Sequence, residues 1–384
     1  MKINNNQRII SLYSTVFIII SLITVYLPIW LHEIVELKLE HIGYLFAAVG
    51  FFKIFFNIYA IKNLQSLNAK KIMAMSIIIL MILMYVIILL INKKESNFVV
   101  FLIFFTLILF SPILPIVENI STILNKDFLS KYGKLRISGS LSFLISVVTI
   151  GYFIELFEIK AFSIIILISF ILFLLSLALI SNKKKLKDYY KKGNILELIK
   201  DHKFILVLLA CSVIQGSHAM YYSFSSVLWK REGLSFLLIG YLWGWGVIAE
   251  IIFFYFINKV KIEKNVFKII IIVCLFSALR WFLTFFLTNF YSLILVQTLH
   301  AISFGLTHYI MMYYIYQFVE RQNKLLAQSL YHALSSGIVM TIFTLFSGLS
   351  FRYYNNGEGF LIMGAFCILS FLFVIINIFW KKYE

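Results

Sequence analysis

Charge is what this chain most lacks. Of its 384 residues, 13% are Asp, Glu, Lys or Arg and 62% are hydrophobic. A soluble domain carries roughly 25% charged and 45–50% apolar residues, and surface-to-volume scaling leaves no way to hide such an apolar excess from water. A soluble fold is excluded, and the surplus has to face lipid. Proline is scarce, with three residues in all, so long helices can run with few obligatory breaks. The three cysteines, Cys211, Cys274 and Cys367, all sit inside apolar runs. No loop pair is available for a disulfide framework. Spacings of the H-x-x-x-H or E-x-x-H type are missing from the apolar runs, so neither a metal nor another cofactor is expected. No nucleophile constellation or soluble catalytic region accompanies the histidines, which argues against an enzyme.

What is present is a series of apolar runs, each near the ~20 residues a membrane-crossing helix needs. Twelve are read at 9–31, 42–63, 71–91, 98–122, 134–157, 161–181, 204–228, 236–258, 266–288, 290–318, 328–351 and 359–380. The beginning, MKINNNQRIISLY, puts two positive charges before an apolar run without a small-residue cleavage site. It reads as a retained first span. The longest non-apolar interval, SNKKKLKDYYKKGNILELIKDHK, falls between the sixth and seventh runs. The expected organisation is a six-helix half over 1–181, a basic cytoplasmic linker over 182–203 and a second six-helix half over 204–384.

The net charge of +17 comes from 28 Lys and 6 Arg against 17 acids. It lies mainly in short loops between spans, which speaks for membrane orientation and against nucleic acid. With the N-terminus placed inside, the inner loops and tails, counted with the lysines at the span ends, hold 24 basic residues and the outer loops 7, leaving Lys53, Arg136 and Arg280 deeper within spans. This bias predicts a multi-pass protein of the inner (plasma) membrane with both termini cytoplasmic.

The halves carry a trace of repetition. IGYLFAAVGFFKIFFNIYAIKN begins at Ile42 and IGYLWGWGVIAEIIFFYFINKV at Ile239, sharing 7 of 22 positions without a gap. These are spans two and eight, as a six-helix duplication requires. Parallel six-helix halves with a midplane solute site between them describe the major facilitator architecture.

The same alignment sets Lys53 opposite Glu250, each about ten residues past the IGYL glycine and so ~15 Å into the membrane. A charge at that depth costs roughly 2.5–3.5 kcal/mol unless a partner or a watery cavity receives it. Lys53 suits a solute site, a structural ion pair or a snorkelling lysine equally; Glu250, with its short stem, favours function. Glu118, at the end of span four, and Arg136, early in span five, lie 18 residues apart across a short turn. They form either a grip on solute or a helix-locking pair. In span seven Gln215, His218, Tyr222 and Ser225 recur at spacings of three and four and share a face. Span ten places Gln297, His300, Phe304 and Thr307 or His308 on one side. Arg280, the one basic residue deep within span nine, precedes His300 by 20 positions. Glu250, Arg280 and His300 together could carry a proton. His308 and His332 suit a hydrogen-bonded core role as well as a functional one.

SHAMYYSFSSVLWKREGLSFLLIGYLWGWGVIAE, LRWFL, QTLHAISFGLTHYIMMYYI and AQSLYHALSSG together resemble the phenylpropionate-permease family of the major facilitator superfamily, a group related to nucleoside and oligosaccharide symporters. The likeness runs over nearly all of the chain and is strongest from Ser217 to Gly337. There is a second resemblance, to proton symporters of the lactose permease type. It implies that Glu118 and Arg136 stand where that family grips sugar, that Phe143 stands where its stacking aromatic does, and that Arg280 and His300 match its arginine and histidine. This chain departs from it at Ser303, where that family has a proton-carrying glutamate, and at Glu250, one turn from that family's acid. The loop KNLQSLNAKK also lacks the acid and glycine usual in the superfamily. Lactose is therefore not the expected solute.

The expected protein is an all-α integral membrane protein of twelve helices in a pseudo-symmetric six-plus-six arrangement, N-in and C-in. Its expected function is proton-coupled symport of a small organic solute by alternating access, the solute being an aromatic or other monocarboxylate such as phenylpropionate. A sugar or nucleoside is the alternative. Glu118, Arg136, Phe143, Lys53, His218 and Tyr222 are the candidate solute residues. Glu250, Arg280, His300 and His308 are the candidate proton-coupling residues. The expected partners are the solute, protons and the bilayer, and a monomer is expected.

Overall fold

The computed structural model describes residues 5–64, 69–91, 96–124, 128–180, 194–257 and 266–380. In hydrocarbon every backbone N–H and C=O must be satisfied within its own segment, which leaves helices as the solution for apolar runs of this length. Among the described residues twelve helices are long and apolar enough to cross a membrane. They are α1 (Gln7–Glu33), α2 (Leu39–Asn57), α3 (Met73–Leu90), α4 (Asn97–Glu118), α5 (Ile137–Phe157) and α6 (Ile159–Ala178). The series continues with α7 (His202–Arg231), α8 (Phe236–Phe256), α9 (Val266–Phe286), α10 (Phe290–Phe318), α11 (Lys324–Tyr353) and α12 (Gly359–Ile378). Each overlaps one of the apolar runs read from the sequence, and the chain is a multi-pass membrane protein. Most of the expected linker, residues 181–193, lies outside the described residues. Its last part forms a short helix, Ile195–Lys200, whose Asn194 side chain accepts from the Leu196 N–H. Buried Asn323, just before α11, holds this helix by donating to Glu197 Oε2 at 2.6 Å.

Three stretches depart from α-helical winding: π-helical segments at Leu22–Tyr26 in α1, Ala301–Leu306 in α10 and Ala333–Val339 in α11. Each accommodates an extra residue in the turn and rotates the rest of its helix. A fourth irregularity interrupts α7 at Ser217 and His218, between helical stretches His202–Gly216 and Ala219–Arg231.

The helices cluster into two compact units, Met1–Asp188 with Gly233–Gly244, and Tyr189–Glu232 with Trp245–Glu384. Lipid tails are as apolar as leucine, so helix association in a membrane depends on close packing of small residues and on interhelical hydrogen bonds. The first unit uses both. Ser146 donates to Ser21 at 2.7 Å, and Thr15 and Ser176 hydroxyls lie 3.0 Å apart. Tyr26, on the π turn of α1, donates its hydroxyl to the Val147 carbonyl of α5. The start of α8 is pressed against α5. A Cβ at Gly151 would meet the Phe236 carbonyl at 2.6 Å, and one at Gly240 would strike the Val147 carbonyl. Glu155 caps the same junction by accepting from the Phe236 N–H at 2.8 Å.

The second unit has an apolar core built from Phe204, Ile214, Val273, Ile310, Met311 and Val374, all buried. Gly216 of α7 fits against Val339 of α11, and Gly364 of α12 against Phe282 of α9.

Because the obstacle at Gly240 is backbone that cannot swing aside, a side chain there forces α5 and α8 apart. Gly240→Val is expected to destabilise the protein by about 1–3 kcal/mol, read as a lower melting temperature in detergent. An unchanged melt would show that α5 and α8 do not pack this closely.

Candidate functional site

The polar cluster of the second unit is built around Arg280. This residue sits two thirds of the way along α9, far from Lys268 at the helix start, and is 0% exposed. Its guanidinium lies over the Trp281 ring at 4.5 Å and the Tyr221 ring at 4.9 Å, which fixes its plane through cation–π contact. Nη1 donates to Ser303 Oγ at 2.8 Å and to His218 Nε2 at 3.0 Å; Nη2 donates to Gln297 Oε1 at 3.0 Å. All three acceptors are neutral groups. Among the described residues no carboxylate lies within ion-pair distance of Arg280.

Local backbone irregularities put these acceptors in place. At the break in α7, His218 Nδ1 lies 3.1 and 3.2 Å from the carbonyls of Ile214 and Gln215. Carbonyls only accept and guanidinium only donates. Both contacts therefore require the same tautomer, with the hydrogen on Nδ1 and the lone pair on Nε2. Ser217, also at the break, accepts from Trp281 Nε1 at 2.8 Å and so anchors the ring beneath Arg280. In α10 the π segment begins just after His300, and the Ser303 N–H bonds the Leu299 carbonyl. The extra residue brings Ser303 to the side of α10 that Gln297 occupies. Gln215 donates to the Phe304 carbonyl at 2.9 Å, satisfying backbone that the bulge disturbs.

Glu250 lies beside this cluster. Its Oε2 is 3.9 Å from His300 Nε2, an ion pair when the ring is protonated. Gly246, one turn earlier on α8, leaves room for the His300 ring, and Gly305 of α10 leaves room for the Glu250 stem. The His300 ring stacks on Phe304 at 5.1 Å and meets the His218 ring edge-on at 5.6 Å. A carboxylate, two imidazoles and a guanidinium thus lie side by side in one cluster of ionisable groups.

Arg280, His300, Glu250 and His218 from the sequence reading therefore meet in one place. Tyr222 stacks against His218 at 5.8 Å. His308 is not with them: its ring lies by Tyr331 at 6.0 Å and His332 at 6.1 Å. A regular 3.6-residue period puts His308 on the His300 face, but the intervening π segment turns it elsewhere. Ser225 bonds its own helix at the Tyr221 carbonyl. The residue the sequence reading did not credit is Ser303, noted there only as a departure from the lactose permease pattern, and here an acceptor for Arg280.

In the first unit Glu118 accepts from the Tyr13 hydroxyl at 3.2 Å. Arg136 belongs to the helix Phe128–Phe157, and its side chain lies outside the described residues. Phe143 faces Trp243 with ring centroids 6.4 Å apart. Lys53 is half-buried on α2 and makes no hydrogen bond or ion pair among the described residues.

Twelve membrane helices, with an ionisable cluster inside one unit, define a multi-pass membrane protein. The chain belongs to the MFS_1-like family, whose model matches residues 8–379. It is 28% identical over 253 residues to the "Probable 3-phenylpropionic acid transporter" of Escherichia coli (strain K12), covering 65% of this chain and 66% of that protein. It is 24% identical over 267 residues to the "Uncharacterized transporter YwbF" of Bacillus subtilis (strain 168), covering 68% of this chain and 66% of that one. The matches thus span just under two thirds of the length of these relatives. Among solved structures, the nucleoside transporter NupG superposes with a TM-score of 0.78 at 14% identity, over 98% of this chain and 99% of that one. A POT family transporter in complex with 5-aminolevulinic acid superposes at 0.74 and 11% identity, over 98% and 96%. At these identities the structures establish the fold alone.

A buried cation held only by neutral groups is a cost to the fold. Arg280→Met combined with Gln297→Leu removes the charge together with the amide oxygen it would orphan, and leaves the Ser303 hydroxyl to donate to His218 Nε2. This double variant is expected to melt in detergent at or above the temperature of the parent protein. A fall of several degrees would mean that the charge is compensated and structural.

Proposed function

We propose that this protein is a proton-coupled symporter for a small organic monocarboxylate, with aromatic acids such as 3-phenylpropionate the leading candidates. The observation that carries this reading is Arg280, a fully buried cation whose partners His218, Ser303 and Gln297 are all neutral. A membrane protein retains such a group where an anion or a proton pathway uses it. The name of the Escherichia coli relative, a phenylpropionic acid transporter, agrees with an anionic aromatic cargo.

In this reading Arg280 attracts the carboxylate, and Tyr222, Phe143 and Trp243 offer ring surface to the aromatic body. His218 orients Arg280, and Lys53 adds a second positive charge. Glu118 and Arg136 orient the solute from the first half. Glu250 and His300, 3.9 Å apart, carry the co-transported proton, and His308 lines the wall of the path. Rocking of residues 1–181 against 204–384 about the linker 182–203 exposes the site to each side in turn. The protein acts as a monomer in the inner (plasma) membrane, with both termini in the cytoplasm, where the basic loops place them.

The direct test is reconstitution into proteoliposomes containing a pH-sensitive dye. External 3-phenylpropionate is expected to acidify the lumen as it enters, and other carboxylates to compete where sugars and nucleosides do not. Competition by sugars or nucleosides instead would transfer the reading to a neutral solute. Glu250→Gln is expected to abolish accumulation driven by a proton gradient while preserving solute exchange across the membrane. Loss of both activities in a well-folded variant would remove Glu250 from the proton path.

A further inference from the structure

The guanidinium of Arg280 carries five N–H donors in a fixed fork. Nη1 is committed to His218 and Ser303, and Nη2 to Gln297. Nε is buried without a hydrogen-bond partner. Gln297 is also 0% exposed, and its Nε2 is likewise buried without a partner. The orientation of this amide is forced. Guanidinium has no lone pair, so Gln297 must present Oε1 to it and turn its NH₂ group away. Covalent geometry then keeps Arg280 Nε and Gln297 Nε2 at the two ends of the same 3.0 Å Nη2–Oε1 contact. Two unpartnered donors flank one cation, with the Trp281 and Tyr221 rings packed against the guanidinium. A buried donor without an acceptor costs roughly 1–3 kcal/mol. Water, with one lone pair directed at each donor, would serve these groups less well than an anion with two oxygens.

We propose that the Nε edge of Arg280 and the amide of Gln297 form the subsite for the carboxylate of the solute, and that Gln297 selects an acid over its neutral amide. One carboxylate oxygen accepts from Nε–H and the other from the Gln297 N–H, while Nη1 remains with His218 and Ser303. This inference rests on the reading that the cargo is a monocarboxylate. It also explains the residue type at 297. A glutamate there would supply Arg280 with a permanent internal carboxylate and close the subsite to solute. An apolar residue would leave one side of the anion without a donor. The aromatic walls lower the local dielectric, so each charge-assisted bond is stronger than it would be in water.

The test is equilibrium binding to the purified full chain in detergent, with 3-phenylpropionate, benzoate and butyrate each measured beside its amide. The parent protein is expected to bind at least one acid about tenfold or more tighter than its amide. Gln297→Glu is expected to weaken that acid by about 10- to 100-fold at neutral pH, and to recover binding as acidification protonates the introduced carboxyl. A residue with a merely structural role would not produce that pH-dependent recovery. Gln297→Ala is expected to weaken the acid by about tenfold with little change in melting temperature, and it decides the matter alone if the glutamate variant does not fold. Acid binding within about threefold of the parent in the folded variants, with the parent still preferring the acid, overturns the subsite and leaves the monocarboxylate reading standing. A parent protein that binds none of the acids, or binds acid and amide alike, overturns the monocarboxylate reading itself.

Discussion

The polar cluster of the second unit is arranged around one buried positive charge that no carboxylate among the described residues pairs with. Arg280 is held against the Tyr221 and Trp281 rings and along its edges by His218, Ser303 and Gln297. These contacts fix where the guanidinium points without cancelling its charge. A buried cation with a carboxylate partner is a structural pair; one with neutral acceptors keeps its field and its preference for an anion. The arrangement around it follows from that constraint. The Ser217–His218 break in α7 turns an imidazole lone pair toward Nη1, and the π segment of α10 carries Ser303 to the same group.

Irregular helical winding is the means by which these side chains converge. A regular α-helix in lipid satisfies its backbone fully and has no carbonyl to spare. Where α7 breaks, the carbonyls of Ile214 and Gln215 come within reach of His218 Nδ1 and set its tautomer. Where α10 bulges, Gln215 reaches across to the Phe304 carbonyl. The two departures are thus linked by a hydrogen bond, and each supplies polar groups that the cluster uses. In the proposed mechanism, pre-organisation of this kind means that a solute meets donors that are already oriented.

The spans were legible in the sequence because hydrocarbon thickness imposes a length and an apolar composition that few other constraints mimic. Arg280, Glu250 and His300 were legible for the complementary reason, since an ionisable residue stands out in an apolar run. The partners were harder to read. Ser303 is an ordinary residue for a membrane helix, and only the π segment reveals that it faces Arg280. The same inserted residue breaks the 3.6-residue extrapolation that grouped His308 with His300. The Tyr13 hydroxyl on Glu118 joins residues 105 apart in the chain, a pairing that no local pattern encodes. Gln297 was visible as a polar residue on the face of His300, but the direction of its amide is fixed only once Arg280 is seen to donate to it.

The central claim is that Arg280 is the residue that receives the anion. Solid-state NMR would measure it directly, with a carboxyl-labelled aromatic acid bound to the reconstituted protein and the arginine side chains labelled with nitrogen-15. Substitution of the five other arginines by lysine would isolate the Arg280 signal. Charge-assisted hydrogen bonding predicts a dipolar coupling that places the carboxyl carbon within about 4.5 Å of the Arg280 guanidinium. A bound acid with no coupling to Arg280 would contradict the account.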